Sequence, residues 1–184
     1  MLPASRPARP IQSIMTPESA VQQLAATLLA REVTPELLAT LQEPATAGIL
    51  TQLAPDCADL LQNTWTDQDF EDAAVEFCRL FILNPAVPAR AAAYFEDEKS
   101  NEIAGRIQFM LDNGFLELPE SFQTLAPDHV SLLLIVQGTL AGEDATQFQA
   151  DNLTPWVSTF SKSLSETTEH PLYRLAAKLV KLSS

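Results

Sequence analysis

Glycine, cysteine, histidine and basic residues are all scarce in this chain of 184 residues, and each shortage excludes a class of protein. Five glycines give no support to a glycine-rich phosphate loop or to a sheet built on tight turns. The two cysteines and two histidines have no spacing typical of a zinc site, and two isolated cysteines do not require an oxidising compartment. The sequence therefore predicts neither a metal nor another cofactor.

Basic residues are scarcest between residues 16 and 159, where 22 acidic residues accompany only five basic ones and give a net charge of −17. The whole chain carries −13. Nucleic-acid affinity rests on clustered Lys and Arg, so this balance predicts no nucleic-acid partner. A negative field of this kind attracts a basic ligand, although the same charge can also serve solubility alone.

Long apolar runs are missing as well. The longest, Val130 to Val136, is too short to cross a bilayer, and residues 1–15 lack the apolar segment of a secretory signal. We therefore expect a cytoplasmic protein without stable membrane insertion. Residues 1–15, with three prolines and little periodicity, predict an extended or disordered lead-in, and residues 16–184 predict one domain.

Abundant alanine and leucine, with apolar residues repeating at intervals of three and four, predict an all-α, single-domain bundle of about eight to ten helices. Predicted helical segments cover residues 17–31, 35–42, 45–53, 66–84, 91–98, 103–112, 127–136, 155–165 and 171–182. The segment that contains Val130–Val136 is apolar nearly all round, which predicts a helix through the middle of the bundle.

Helix starts are predicted by a capping hydroxyl followed by proline at Thr16, Thr34 and Thr154. Thr66 with Asp69 predicts a capping box. Pro127 is predicted to start the central helix, and Gly114 to end the helix before it in a left-handed conformation.

Asp128 and His129 form the one tight polar cluster at the start of the apolar helix. The helix dipole there favours the Asp128 carboxylate and disfavours a protonated His129. Two interpretations stay open, a binding role for the pair or a local one in which Asp128 satisfies free backbone N–H groups and His129 packs nearby. The acidic run from Asp67 to Glu76 is interpreted as a solvated helix face.

At Pro127-Asp128-His129 and the leucine-rich helix that follows, the sequence resembles the TorD/DmsD/NarJ family of redox-enzyme maturation chaperones. Four further segments carry the same resemblance in the same order, and together they span most of residues 17–182. These segments are Glu76–Phe81, Pro88–Tyr94 and the two C-terminal stretches Leu153–Phe160 and His170–Ala176.

The resemblance implies a TorD/DmsD-like cytoplasmic chaperone and not an enzyme. Such a chaperone binds the apo-form of a molybdoenzyme catalytic subunit through its N-terminal, twin-arginine leader and assists maturation before export or membrane assembly. A leader joins basic residues to an apolar stretch, which suits a groove with an apolar floor and an acidic rim. On this hypothesis Asp128 and His129 lie at the polar end of the groove, and Phe81, Pro88 and Tyr94 form its apolar wall.

Two other classes of function compete with this hypothesis. One is a structural adaptor whose acidic face binds a protein partner without recognising a leader. The other is a small hydrolase in which Asp128 orients His129 as a base. Neighbouring helical residues usually point in different directions, which counts against the hydrolase.

Overall fold

The computed structural model describes residues 17–183, so the lead-in prediction for residues 1–15 and the cap predicted at Thr16 lie outside the described residues. The described chain contains ten α-helices and no β-strand, and the all-α prediction is confirmed. The helices are α1 (Pro17–Ala30), α2 (Pro35–Gln42), α3 (Pro44–Leu53), α4 (Ala58–Gln62), α5 (Asp67–Phe77), α6 (Asp97–Asp112), α7 (Val130–Thr139), α8 (Gly142–Asn152), α9 (Val157–Thr167) and α10 (Pro171–Leu182). Within residues 17–183, no helix combines the length and apolarity needed to cross a membrane.

Helix α7 forms the centre of the bundle, as its all-round apolar sequence predicts. Its residues from Val130 to Leu134 are at most 1 % exposed, and α1 packs closely along it. The Ser19 hydroxyl on α1 donates to the Gly138 carbonyl on α7 at 2.8 Å. A Cβ on Gly138 would lie only 3.3 Å from that hydroxyl oxygen, so glycine permits the close approach of the two helices. Helix α10 packs against α1 and α9 and completes the core.

Two predicted helix starts are confirmed by their hydrogen bonds. The Thr34 hydroxyl accepts from the Leu37 N–H at the start of α2. At the start of α5, the Thr66 N–H donates to Asp69 and the Asp69 N–H donates to the Thr66 hydroxyl, which is a capping box. Gly114 has a φ of 69°, so the predicted left-handed ending of α6 is also confirmed.

Two other predicted starts are wrong. Pro127 lies in a turn, and α7 begins at Val130, because the Val130 N–H donates at 2.8 Å to the Ala89 carbonyl of a distant loop. Thr154 also lies in a turn, where its N–H donates to the Gln149 carbonyl, and α9 begins at Val157. At α7 the first helical N–H is held by a distant loop, whereas at α9 the residues before the helix still belong to the turn that closes the end of α8.

The sequence patterns also missed two helices, α4 and α8. Helix α8 is polar on nearly every side, and Asn152 is the only buried residue within it. Without an apolar face it has no periodic signal for the sequence to display. Helix α4 has only five residues, too few for a period to be seen.

A π-helical segment, Cys78–Ile82, continues α5 and leads into an irregular connection that ends at α6. Leu83 donates its N–H to the Cys78 carbonyl at 3.0 Å, which closes the wide turn, and Asn84 has a φ of 50°. We call residues 84–96 the crossing loop. It includes a short 3₁₀ helix, Ala91–Ala93, and runs across the start of α7.

Candidate functional site

Asp128, the first residue predicted for the site, lies beneath the crossing loop and is only 1 % exposed. One carboxylate oxygen accepts from Arg90 Nε at 2.8 Å, and the other accepts from the Ala92 N–H at 3.0 Å. The Ala91 N–H donates to the Asp128 backbone carbonyl. A buried carboxylate needs such partners, and here all of them belong to the crossing loop. Asp128 therefore fastens the loop to the start of α7.

His129, the second predicted residue, is the N-cap of α7. Its Nδ1 accepts from the Ser131 N–H at 3.2 Å, and its backbone pairs with Arg90 in an isolated antiparallel bridge. Burial lowers the pKa of His129 to about 4, and the nearby Asp128 carboxylate opposes this effect only in part. The imidazole is therefore neutral at pH 7, as its position requires, because an imidazolium cannot accept a hydrogen bond.

Pro88 and Tyr94 both belong to the crossing loop and are partly buried. The Tyr94 ring packs on Trp156, with ring centroids 5.1 Å apart, and on Phe160 of α9. Burial raises the pKa of Tyr94 to about 12, so its hydroxyl is neutral at physiological pH. The structure thus places four of the five predicted residues in or directly under one loop: Pro88, Tyr94, Asp128 and His129.

Phe81, the fifth predicted residue, lies on the π-helical segment before that loop. Its partly buried ring packs against Phe77, with centroids 5.2 Å apart, and against Tyr173 of α10, with centroids 5.9 Å apart. Tyr94 and Phe81 therefore pack on different helices, and among the described ring contacts none joins them directly. The crossing loop links them along the chain.

Two adjoining hollows lie beside α5, and both include His170 at the start of α10. We call them together the His170 groove. The first hollow, of about 210 Å³, lies between α4, α5 and α10, and the second, of about 450 Å³, lies between α5 and the turn after α9. The first is lined by Asp59, Leu60, Trp65, Asp69, His170 and Pro171. The second is lined by Asp72, Val75, Glu76, Arg79, Glu169 and His170.

The His170 groove is strongly acidic. Five acidic residues and one basic residue, Arg79, line its two hollows. Arg79 donates from Nε and Nη2 to the two oxygens of Glu76, at 2.7 and 2.8 Å, and this pairing lowers the pKa of the Glu76 carboxyl. Its Nη2 also donates to the Thr167 carbonyl at 3.0 Å. Among the described residues, Arg79 is the only basic side chain that lines the groove, and one of the groove's carboxylates already neutralises it.

His170 caps α10 in the same way that His129 caps α7. Its Nδ1 accepts from the Leu172 N–H at 3.3 Å. Burial lowers the pKa of His170, against the opposing effect of Glu76 and other nearby carboxylates. The His170 ring lies 6.1 Å from Trp65 and 5.5 Å from Tyr173, and Tyr173 contacts Phe81. A continuous row of rings therefore joins the groove to one of the predicted site residues.

Sequence reasoning did not single out Trp65, His170 or the acidic residues of the groove as site residues. The acidic run of α5 was interpreted as a solvated face, and its residues are indeed exposed or partly exposed. The missing information is tertiary, because the groove forms only when α4, α5 and α10 meet. The pair His170-Pro171, at the start of a helix that resembles the family, was the one available signal.

The geometry does not support the alternative of a hydrolase in which Asp128 orients His129 as a base. The Asp128 carboxylate bonds to Arg90 and Ala92, and His129 Nδ1 bonds to Ser131. Asp128 thus does not orient the imidazole as a base, which is the arrangement such a mechanism requires. Within the described residues, no cluster of three or more His, Cys, Asp or Glu side chains is arranged to hold a metal ion.

These features define an all-helical protein with an acidic groove and a loop fastened to its central helix. The sequence model of the nitrate reductase delta subunit family matches residues 20–170, and the chain belongs to that family. The family comprises NarJ/TorD-type redox-enzyme maturation chaperones, so the resemblance predicted from the sequence is confirmed. Membership implies that the chain is a maturation chaperone whose partner is a molybdoenzyme subunit. Comparison with curated proteins and with solved structures gives no significant match.

Proposed function

We propose that this chaperone acts in the cytoplasm and binds the N-terminal, twin-arginine leader of a molybdenum-cofactor oxidoreductase subunit before export or membrane assembly. The observation that carries the proposal is the family match over residues 20–170. The chemistry of the surface supports the proposal. The protein carries a net negative charge and has exposed apolar side chains, and a leader consists of basic residues followed by an apolar stretch, so the two are complementary.

In this proposal the five predicted residues have two different tasks. The rings and side chains of Phe81, Pro88 and Tyr94 provide the apolar wall, since each is partly exposed. Asp128 and His129 hold the crossing loop and the start of α7 in place, and so position that wall. Asp128 acts through Arg90, whose side chain is 55 % exposed and lies between the buried carboxylate and solvent.

Leader binding is tested by calorimetric titration of the purified chain with the leader of the molybdoenzyme encoded beside its gene. We expect saturable binding of this leader, and binding of the intact apo-enzyme that the free leader inhibits. If neither the leader nor the apo-enzyme binds, the proposal is wrong. A partner that co-purifies from the native host and is not a molybdoenzyme would instead favour the adaptor.

The role of the crossing loop is tested with a matched pair of prolines. Pro88 is partly buried, whereas Pro85 in the same loop is exposed. Pro88→Ala is expected to weaken leader binding several-fold, because it removes apolar contact area from the wall. Pro85→Ala should bind like the wild type. Equal affinities for both variants would exclude Pro88 from the binding surface.

A further inference from the structure

The His170 groove is lined mainly by acidic residues, and exposed apolar side chains follow it along the end of the π-helical segment. We infer that the groove binds the arginine-bearing end of the client leader, while its apolar stretch lies along the exposed side chains beyond the groove. This inference rests on the proposed leader binding, and it assigns that function a location which the sequence did not predict.

Charge complementarity favours a basic occupant over any other. The groove has five carboxylates, and its one guanidinium, Arg79, is engaged by Glu76 and the Thr167 carbonyl. Asp72 and Glu169 are exposed on opposite sides of the second hollow, one on α5 and one before α10. Carboxylates accept paired hydrogen bonds from a guanidinium, so arginine suits this arrangement better than lysine does.

The aromatic floor of the groove adds a second interaction for the same chemical group. Trp65 is partly exposed and lines the first hollow, where its ring lies 6.1 Å from that of His170. A guanidinium stacks on an indole face more favourably than on other side chains, particularly when acidic groups surround it. His170 is mostly neutral at pH 7 because burial disfavours its protonated form, so it does not repel an arginine.

The apolar side chains beyond the groove match the order of residues in a leader. Val75 lines the second hollow and is 69 % exposed. Ile82, at the end of the π-helical segment, and Leu83, directly after it, are 56 % and 76 % exposed. Seven residues of helix separate Val75 from Ile82, which is roughly 10 Å. A leader places its basic residues before its apolar stretch, so it can follow α5 from the acidic groove towards Phe81.

The predicted polar end of the site, by contrast, offers no open carboxylate to an arginine. Asp128 is buried, and its two oxygens already accept from Arg90 and Ala92. A leader arginine could reach it only by displacing Arg90 and lifting the crossing loop. The groove requires no such rearrangement, because three of its five carboxylates, those of Asp59, Asp72 and Glu169, are exposed and are not engaged by Arg79 or by the capping box.

The test compares two variants with the same change in charge. The double variant Asp72→Asn/Glu169→Gln neutralises both sides of the groove, and the control Glu143→Gln/Asp144→Asn neutralises two exposed acidic residues of α8 that do not line it. Each is titrated at low ionic strength with the client leader and with the same leader in which both arginines are glutamine. We expect the groove variant to lose at least tenfold in leader affinity and the control less than twofold.

The glutamine leader distinguishes a specific contact from general attraction. We expect the glutamine leader to bind the wild-type protein weakly. Its affinity for the groove variant and for the control variant should equal its affinity for the wild type, since it lacks the arginines that would pair with the carboxylates. Equal losses in the two variants would show nonspecific attraction and overturn the inference, as would wild-type affinity in the groove variant. In those cases leader binding itself still stands. If the wild type binds neither leader nor apo-enzyme, the proposed function fails and the inference fails with it.

Discussion

The starts of α7 and α10 are built alike but are covered differently. Each begins with a histidine whose Nδ1 accepts from the N–H two residues later, at 3.2 Å for His129 and 3.3 Å for His170. The backbone angles of the two caps are also similar. At α7 the crossing loop closes over the cap and its neighbouring carboxylate, whereas at α10 the cap faces an open groove. The same local chemistry therefore stabilises the fold in one place and is accessible to a ligand in the other.

Among the substitutions that test this comparison between the starts of α7 and α10, Arg90→Met is expected to have the largest effect on stability. The substitution leaves the buried Asp128 carboxylate with a single hydrogen bond, from the Ala92 backbone N–H. Removing the charged partner of a buried carboxylate destabilises a protein by up to about 3 kcal/mol. Urea unfolding at pH 7 measures the loss.

Lys162→Met is the matched control for Arg90→Met, because Lys162 forms a surface ion pair with Glu166 at 3.9 Å. Breaking such a pair changes stability by less than about 1 kcal/mol. If Arg90→Met lowers the free energy of unfolding no more than Lys162→Met does, the ion pair between Arg90 and Asp128 does not hold the start of α7. The contrast between the starts of α7 and α10 then disappears.

The second largest effect is expected from the titration of His129 at the start of α7, which makes the stability of the protein depend on pH. The pKa of His129 is about 4 in the folded protein, below the value of 6.5 for an unperturbed histidine. The unfolded chain therefore binds the proton more tightly, and stability falls as the pH is lowered from 6.5 towards 4. Between pH 7 and pH 5 this contribution amounts to about 2 kcal/mol.

His129→Asn separates this titration from the cap, since asparagine is a good N-cap that does not ionise. We expect the stability of the variant, measured by urea unfolding, to fall less between pH 7 and pH 5 than that of the wild type. His170→Asn should flatten the pH dependence less, because His170 is less buried and is surrounded by carboxylates that oppose the lowering of its pKa. If His170→Asn reduces the pH dependence of stability more than His129→Asn does, then His129 is not the more buried of the two capping histidines.

The smallest effect is expected from Asp72→Asn/Glu169→Gln at the groove. Both carboxylates are exposed among like charges, so their neutralisation should change the unfolding free energy by no more than about 0.5 kcal/mol. The melting temperature gives the readout. A loss as large as that of Arg90→Met would mean that the groove carboxylates hold the fold together and are not available to a ligand.

Much of the fold could be predicted from the sequence because its signals are local. The bounds of α2 follow from the Thr34 cap with Pro35, and those of α10 from Pro171 and an apolar period, and the structure confirms both. The start of α7 could not be predicted, because the hydrogen bond between Val130 and Ala89 joins residues far apart in the sequence. Helix α8 was missed for the opposite reason, as its residues bury little and leave no pattern.

The candidate site was predicted only in outline. The resemblance singled out Asp128, but nothing in a single sequence shows that Arg90 reaches back across 38 residues to cover it. Likewise the acidic face of α5 is an ordinary solvated surface until His170 and Trp65 are placed beside it. Local sequence patterns identify the helix starts and the acidic helix face, whereas contacts between distant segments decide which of these surfaces is accessible to a ligand.

The two tryptophans of the chain provide a direct measurement, because Trp65 lies in the His170 groove and Trp156 packs on Tyr94. In ¹H–¹⁵N spectra of the labelled protein, addition of the client leader should move the Trp65 indole signal. The leader in which both arginines are glutamine should leave that signal near its free position, while any change at Trp156 is the same for both leaders. If replacing the arginines alters the response of Trp156 and not that of Trp65, the arginines bind at the start of α7, and the central claim is contradicted.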